Sequence, residues 1–114
     1  MQIDSYDFGK IKIDGQEYTQ DVIIYPNKVL SPWWRKQGHV LSLEDLPKDL
    51  LAQKPAIVII GTGYSGLMEV SSEVKEYLQS QGIEVIIEPT VKAWQTYNQL
   101  SQSKKVIALF HLTC

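Results

Sequence analysis

The chain has 114 residues, 44% of them hydrophobic and 21% charged, with a formal net charge of -2, and these values are those of one ordinary globular domain. The negative charge, with basic residues clustered only in pairs, argues against nucleic acid as a partner. The longest unbroken apolar run, residues 56–60, is far too short to span a bilayer, so no membrane span is expected.

The cysteine content and the first residues bear on the cellular compartment. The single cysteine, Cys114, excludes an internal disulfide and fits a reducing environment. Residues 1–4 contain neither a basic n-region nor an apolar h-region, so we expect no secretory signal. The sequence therefore predicts a cytoplasmic protein.

The N-terminal part of the chain predicts a β-hairpin. Residues 8–13 alternate apolar and polar side chains, which is typical of a half-buried strand. The dipeptide Asp14-Gly15 follows and suits the positive φ angles of a tight turn. The return strand is predicted over residues 18–25, and we expect the hairpin to extend the main sheet.

Residues 26–40 have no clear period and predict a long ordered loop. Two short helical signals follow the loop. Ser42 and Asp45 have the spacing of an N-cap, and Pro47 occupies a first-turn position before residues 48–51.

Two longer helices are predicted in the second half of the chain. Ser71 or Ser72 caps the first helix, and Gly82 stands at the position where a left-handed residue ends it. Thr90 is predicted to cap the second helix, whose apolar residues recur at helical spacing.

Three apolar strand runs alternate with these helices, near residues 56–61, 83–87 and 105–111. The near-continuous apolar character of the 83–87 run predicts a strand covered on both faces. Strand–helix–strand–helix–strand order implies parallel strands with right-handed crossovers. We therefore predict a single-domain layered α/β fold: a mixed sheet with a three-stranded parallel βαβαβ core and an N-terminal β-hairpin.

A glycine-rich segment, G-x-G-x-x-G over residues 61–66, follows the first of these strands. One interpretation is a phosphate or mononucleotide site on its backbone, with Glu88 where a ribose-binding acid would lie. Against this, the helix cap at Ser71 comes too late for helix amides to face a phosphate, and Glu69 adds negative charge. The pattern favours a structural loop that uses glycine to turn.

The ending of the chain offers His111 and Cys114, which could form a nucleophilic pair or part of a metal site. Residues three apart in a strand point to opposite faces, so a bend would be needed to bring them together. With His39, the chain has at most three soft ligands, and we expect no metal site.

The tripeptide Trp33-Trp34-Arg35 leaves two interpretations open. An exposed aromatic platform with a guanidinium would form a partner-binding patch. Alternatively, one Trp plugs the edge of the sheet and Arg35 is solvated. Exposure of these side chains on a rigid loop would indicate a protein partner.

A second candidate site follows from topology, because the carboxyl ends of parallel strands share one edge, where ligands bind. A small anionic metabolite or nucleotide there would be held by backbone amides, a hydroxyl and a proton-shifting imidazole. The candidate residues are Gly61, Thr62, Gly63, Glu88, Thr90 and His111. No acid–base pair, complete triad or metal set can be assembled from the chain. This favours a protein-binding or assembly-assisting module without a cofactor over an enzyme.

The order and spacing of several short motifs resemble a family of small α/β domains of unassigned biochemical activity. That family includes the adipogenesis-associated protein and a mitochondrial complex I assembly factor. The motifs are Trp34-Arg35 with Gly38 and His39, Ile60-Gly61-Thr62-Gly63, Val70-Ser71-Ser72, Tyr77-Leu78, Gly82-Ile83, Tyr97-Asn98-x-Leu100 and Phe110-His111-Leu112-Thr113-Cys114. The last of these looks most like the adipogenesis-associated branch. The resemblance implies a mixed sheet flanked by helices and no catalytic residues that can be transferred.

Overall fold

A five-stranded mixed sheet with one helix on each face forms the centre of the computed structural model, which describes all residues, 1–114. The elements are β1 (Ile3–Asp7), β2 (Lys10–Ile13), β3 (Gln16–Tyr18), β4 (Val22–Ile24), β5 (Val29–Leu30), β6 (Val40–Leu41), a 3-10 helix (Leu43–Asp45), β7 (Ile57–Thr62), β8 (Glu69–Val70), α1 (Ser72–Ser80), β9 (Glu84–Glu88), α2 (Thr90–Leu100) and β10 (Val106–His111).

The strand order of the central sheet is β5-β4-β10-β7-β9. Strands β10, β7 and β9 are parallel, and β4 runs antiparallel to β10. Every residue of β7 and β10 is buried, because both faces of these strands are covered. The predicted α/β class, with its three-stranded parallel core, is confirmed.

The two helices cover opposite faces of the central sheet. Val74 and Leu78 of α1 pack in one core cluster with Val58 and Ile60. Ala93 and Tyr97 of α2 pack in the other, together with alternate residues of the same strands, Ile57 and Ile59 among them. The period of two along a strand sends these residues to opposite faces.

The N-terminal hairpin is confirmed, but it does not extend the central sheet. Strands β1, β2 and β3 form a separate antiparallel sheet, with Asp14 and Gly15 at φ angles of 47° and 82° in the turn. The predicted return strand, 18–25, divides: Tyr18 ends β3, whereas β4 pairs with β10. Apolar residues on both faces of the 22–25 segment reflect its place inside the larger sheet.

An amide side chain joins the small sheet to α2. Asn98 donates to the Ile3 carbonyl at 2.7 Å and accepts from the Ile3 amide at 2.8 Å. This pair of bonds satisfies backbone groups at the edge of β1, which is what a buried backbone segment requires.

Most helix boundaries agree with the sequence-based prediction, and two details differ. Ser71 caps α1, accepting from the Glu73 amide, and Ser42 forms a capping box with Asp45. Pro89 rather than Thr90 occupies the cap position of α2, and residues 48–53 form turns instead of a helix.

Strand β9 is an edge strand with Ile87 39% exposed, so it is not covered on both sides. Neither helix is long and apolar enough to cross a membrane.

Candidate functional site

Three of the residues predicted at the carboxyl edge of the parallel strands are joined by one hydroxyl. Thr90 Oγ1 accepts a hydrogen bond from the Gly63 amide at 2.9 Å and donates to the His111 carbonyl at 2.7 Å. Because Thr90 is fully buried, this hydroxyl holds β7, α2 and β10 together at the edge of the sheet.

The amides of the glycine loop are bonded within the chain. The amide of Tyr64 donates to the Thr113 carbonyl at 3.1 Å, and that of Leu67 donates to the Cys114 carbonyl at 3.0 Å. A Cβ on Gly63, whose φ is 105°, would lie 2.3 Å from the Thr113 oxygen. The segment after β10 therefore lies where a phosphate would have to sit.

The remaining residues of this edge also make their contacts and hydrogen bonds within the protein. A Cβ on Gly61 would lie 2.7 Å from Thr90 Oγ1. Thr62 Oγ1 donates to the Glu88 carbonyl at 3.2 Å. The Glu88 carboxylate accepts from Thr96 at 2.7 Å and pairs with Lys92 at 3.4 Å. The predicted anion-site residues are thus neighbours in space, and their polar groups are engaged with one another and with α2.

A buried charged cluster lies beside this edge and includes Asp21, which the sequence analysis did not single out. Asp21 Oδ2 is 2.7 Å from Arg35 Nη2 and 2.8 Å from His111 Nδ1, and Asp21 Oδ1 accepts from the Leu112 amide at 2.8 Å. The side chains of Arg35, His111 and Asp21 are 3%, 7% and 16% exposed. The one sequence signal for Asp21 is an acidic residue placed directly before a buried strand.

The proton of the His111 ring can be assigned from these distances. Two acceptors 2.8 Å apart would repel one another, so Nδ1 carries the hydrogen and donates it to Asp21 Oδ2. The 3.0 Å approach of Arg35 Nη2 to Nδ1 is then a contact without a shared hydrogen. In the neutral ring, Nε2 is left with a free lone pair.

The environment of Asp21 keeps its carboxyl ionised. Burial raises its pKa, but hydrogen bonds from His111, the Leu112 amide and Arg35 outweigh burial and lower the pKa below its ordinary value of 3.8. The resulting carboxylate offsets the buried guanidinium of Arg35. An isolated charge at either position would be strongly unfavourable.

Two atoms of the cluster, Arg35 Nη1 and His111 Nε2, are buried without a hydrogen-bond partner. A buried polar group left without a partner costs roughly 1–3 kcal/mol. The ring of His39, from the exposed segment before β6, stands edge-on to that of His111 with 6.0 Å between the ring centroids. Arg35 Nη1 and His111 Nε2 are the only buried side-chain nitrogen or oxygen atoms of the protein without a hydrogen-bond partner.

Each interpretation of the Trp33-Trp34-Arg35 segment agrees with one of its two tryptophans. Trp33 is buried, with its amide bonded to the Asp21 carbonyl at 2.9 Å and its indole Nε1 donating to the Asp45 carbonyl. The Arg35 guanidinium is buried rather than solvated, 4.6 Å from the Trp33 ring, and it donates to the Gly38 carbonyl. Trp34, between them, is 75% exposed.

A shallow groove of about 390 Å³ adjoins Trp34. Strand β5, at the edge of the central sheet, contributes Leu30 to this groove. The lining residues are Ile23, Tyr25, Lys28, Leu30, Pro32, Trp33, Trp34, Asp45, Pro47, Lys48 and Asp49. The lining combines apolar side chains with four charged ones, those of Lys28, Asp45, Lys48 and Asp49.

The chain leaves the strand geometry after His111, and Cys114 is partly buried at its end. The structure contains no group of three or more His, Cys, Asp or Glu side chains that could hold a metal ion. The acid–base groups that it does bring together are Asp21 and His111.

Comparison with known proteins gives a family but no activity. The family model described as a protein of unknown function, DUF498/DUF598, matches residues 3–111. The conserved hypothetical protein PH1505 from Pyrococcus horikoshii OT3 is similar over 100% of both chains, with 30% identity and a TM-score of 0.84.

Two further solved structures are similar. The one named MT938 has 30% identity and a TM-score of 0.80, over 99% of this chain and 98% of that one. A protein described as an outer membrane protein from Bartonella henselae has 24% identity and a TM-score of 0.80, over 98% and 94% of the two chains. At that identity, the last similarity establishes the fold alone.

Proposed function

The chain belongs to the DUF498/DUF598 family of proteins of unknown function, and we propose that it is a protein-binding module that receives a partner at Trp34. The observation that carries this proposal is the 75% exposure of Trp34 between the buried side chains of Trp33 and Arg35. A large aromatic side chain held in water by an ordered loop is the kind of residue that dominates protein interfaces.

The loop is held by contacts on either side of Trp34. Trp33 fills the core beneath it, and Arg35 is tied to Asp21 at 2.7 Å. Little conformational entropy would be lost on binding, because the backbone of the loop is already fixed by these contacts. Trp33 and Arg35 therefore support the proposed interface from below, and Trp34 makes the contact.

The charges around the groove favour an acidic and apolar partner segment. The carboxylate of Asp45 accepts from the Lys36 amide and from Ser42, and that of Asp49 accepts from Tyr25. The ammonium of Lys48, by contrast, takes part in none of the ion pairs of the protein. The groove thus offers a lysine that is free to pair with an incoming carboxylate, whereas its two carboxylates already accept hydrogen bonds from the chain.

The geometry of β5 favours an extended conformation for that segment. As an edge strand, β5 has one side on which its backbone groups are not paired with another strand. An extended peptide can add its main chain to such an edge and place alternate side chains against Leu30 and Trp34.

Selection from a displayed peptide library tests this proposal. Wild-type protein is the bait, and the Trp34→Ala variant removes peptides that bind elsewhere. We expect the enriched peptides to combine apolar and acidic residues. Their affinity should fall at least about tenfold, or 1.4 kcal/mol, with Trp34→Ala.

Phe8→Ala is the matched control, because Phe8 is another exposed aromatic residue, 56% accessible, on the separate N-terminal sheet. The affinity of the selected peptides should be unchanged by Phe8→Ala. Peptides that bind wild type and Trp34→Ala equally, or that lose affinity with Phe8→Ala instead, would contradict the proposal.

Two finer assignments accompany this proposal. We place the protein in the cytoplasm, supported by its single cysteine. We also place it in the adipogenesis-associated branch of the family, supported by its ending, Phe110-His111-Leu112-Thr113-Cys114.

A second candidate function is the binding of a small anionic metabolite or nucleotide at the carboxyl edge. Its support is the pair of unpartnered buried atoms on Arg35 and His111. The amide of Gly63 already has Thr90 as its acceptor. A ligand at this edge would therefore lie toward Arg35 rather than on the glycine loop.

A further inference from the structure

The buried cluster of Asp21, Arg35 and His111 has hydrogen-bonding capacity that the protein does not use. Arg35 Nη1 and His111 Nε2 lack partners, although their side chains are only 3% and 7% exposed. The two groups are neighbours, with 3.0 Å between Arg35 Nη2 and His111 Nδ1. Native proteins rarely leave buried polar atoms unpaired, so these two call for hydrogen-bond partners from outside the chain.

The two free atoms require different partners. A guanidinium nitrogen only donates, so Arg35 Nη1 needs an acceptor. His111 Nε2, with the ring hydrogen on Nδ1, offers a lone pair and needs a hydrogen-bond donor. A molecule that satisfies both presents a hydrogen-bond acceptor to Arg35 and a hydrogen-bond donor to His111.

An oxyanion carrying one proton meets this requirement. One of its oxygens accepts from Arg35 Nη1, and another shares the proton with His111 Nε2, whichever of the two atoms formally holds it. The fixed charges of the cluster are compatible with this ligand, because Asp21 and Arg35 already neutralise one another at 2.7 Å. The anion and the proton then enter together without leaving a net charge buried.

We propose that Arg35 and His111 bind a small oxyanion, a carboxylate or a phosphate, together with one proton. This inference rests on the second candidate function and is independent of the Trp34 groove. None of the three cavities in the structure reaches either residue. We place the entry beside the exposed His39 ring, whose centroid is 6.0 Å from that of His111.

The linked proton makes binding dependent on pH, so the titratable groups around the His111 ring matter. Asp21 and Arg35 contact the ring, and His39 faces it edge-on. Tyr6 bonds the next carbonyl, that of Leu112, and Cys114 approaches from the side of Gly63. Because the anion brings one proton, its affinity should weaken as the pH rises above the neutral range.

A residue-resolved NMR titration tests the proposal on the full chain. Inorganic phosphate and acetate are added separately to ¹⁵N-labelled protein, and the ring nitrogens of His111 are followed at two pH values. We expect a saturable shift of His111 Nε2 with the lower dissociation constant at the lower pH. The tighter of the two probes identifies the ligand as a phosphate or a carboxylate.

Two conservative variants separate binding from folding. Arg35→Lys keeps a cation beside Asp21 and deletes Nη1. His111→Asn keeps a donor in the place of Nδ1 and deletes Nε2. Each should weaken anion binding at least about tenfold, while Trp34→Ala leaves it unchanged.

The outcomes are distinct. No saturable shift at His111 in the wild type, or wild-type anion affinity in both variants as followed at the Leu112 amide, would overturn the proposal. Shifts confined to Gly63 and Tyr64 would overturn it and would move the second candidate function from the side of Arg35 to the glycine loop. A buried water on Arg35 Nη1 and His111 Nε2, with no response anywhere to either probe, would overturn both.

Discussion

Asp21 Oδ2 accepts the proton of His111 Nδ1 at 2.8 Å, joining two residues that are 90 positions apart in sequence. The same oxygen holds Arg35 Nη2 at 2.7 Å. A single carboxylate thus ties the segment before β4 to the Trp33–Arg35 loop and to the end of β10. The exposure of Trp34 and the unpartnered atoms of the cluster both depend on this arrangement.

Asp21→Asn should lower the free energy of unfolding by about 3 kcal/mol, because it removes one charge from a buried ion pair and leaves the other without compensation. Denaturant unfolding measures the change. Glu44→Gln is the control, because the Lys36–Glu44 pair is 71% and 61% exposed and should contribute less than about 1 kcal/mol. Equal effects of the two substitutions would contradict this view of Asp21.

The contribution of Asp21 should also depend on pH. Although burial opposes it, hydrogen bonding lowers the Asp21 pKa in the folded state below 3.8, so the carboxylate stabilises the protein above that pH. This stabilisation should be lost as the pH falls below 3.8 toward the lowered pKa. Unfolding curves of wild type and Asp21→Asn measured over an acid series should therefore converge as the pH falls. A stability difference between the two proteins that grows on acidification would contradict the predicted direction of the pH dependence.

Gly63→Ala should destabilise the protein by on the order of 2 kcal/mol or more. The residue has a φ of 105°, and its Cβ would lie 2.3 Å from the Thr113 oxygen, so the segment after β10 would be displaced. Gly38→Ala is the control, because no atom lies within 4 Å of its added Cβ. Thermal unfolding compares the two variants. A Gly63→Ala protein as stable as wild type would show that this segment does not pack on the glycine loop.

The two adjacent tryptophans should respond differently to truncation. Trp33→Ala should cost about 3–5 kcal/mol of stability, because Trp33 is only 5% exposed and fills the core. Trp34→Ala should change the free energy of unfolding by less than about 0.5 kcal/mol, because Trp34 is 75% exposed. Denaturant unfolding of both variants is the measurement. A large loss of stability with Trp34→Ala would mean that its role is structural.

The parts of the fold that could be predicted from sequence are those fixed by local patterns. Strands β7 and β10 could be predicted from their apolar runs, and the Asp14-Gly15 turn from its φ preference. The division of residues 18–25 between two sheets could not, because burial on both faces does not identify the neighbouring strand. The exposure of β9 at the edge of the sheet could not be predicted either, for the same reason.

The charged cluster illustrates the limit for the site. His111 was a candidate site residue, and Arg35 had two interpretations. Their contact depends on Asp21, which lies 14 positions from Arg35 and 90 positions from His111 in sequence. No local pattern records such a contact. The glycine loop was better determined, because the late cap at Ser71 already indicated a helix start remote from Gly66.

Residue-resolved NMR mapping of a selected peptide tests the proposed function most directly. The ¹⁵N-labelled protein is titrated with an acidic and apolar peptide that binds wild type but not Trp34→Ala. We predict that the largest chemical-shift changes fall on the Trp34 indole, Leu30 and Lys48, around the groove. Changes centred on the glycine loop at residues 61–66, with the Trp34 indole unmoved, would contradict the assignment of Trp34 as the binding surface.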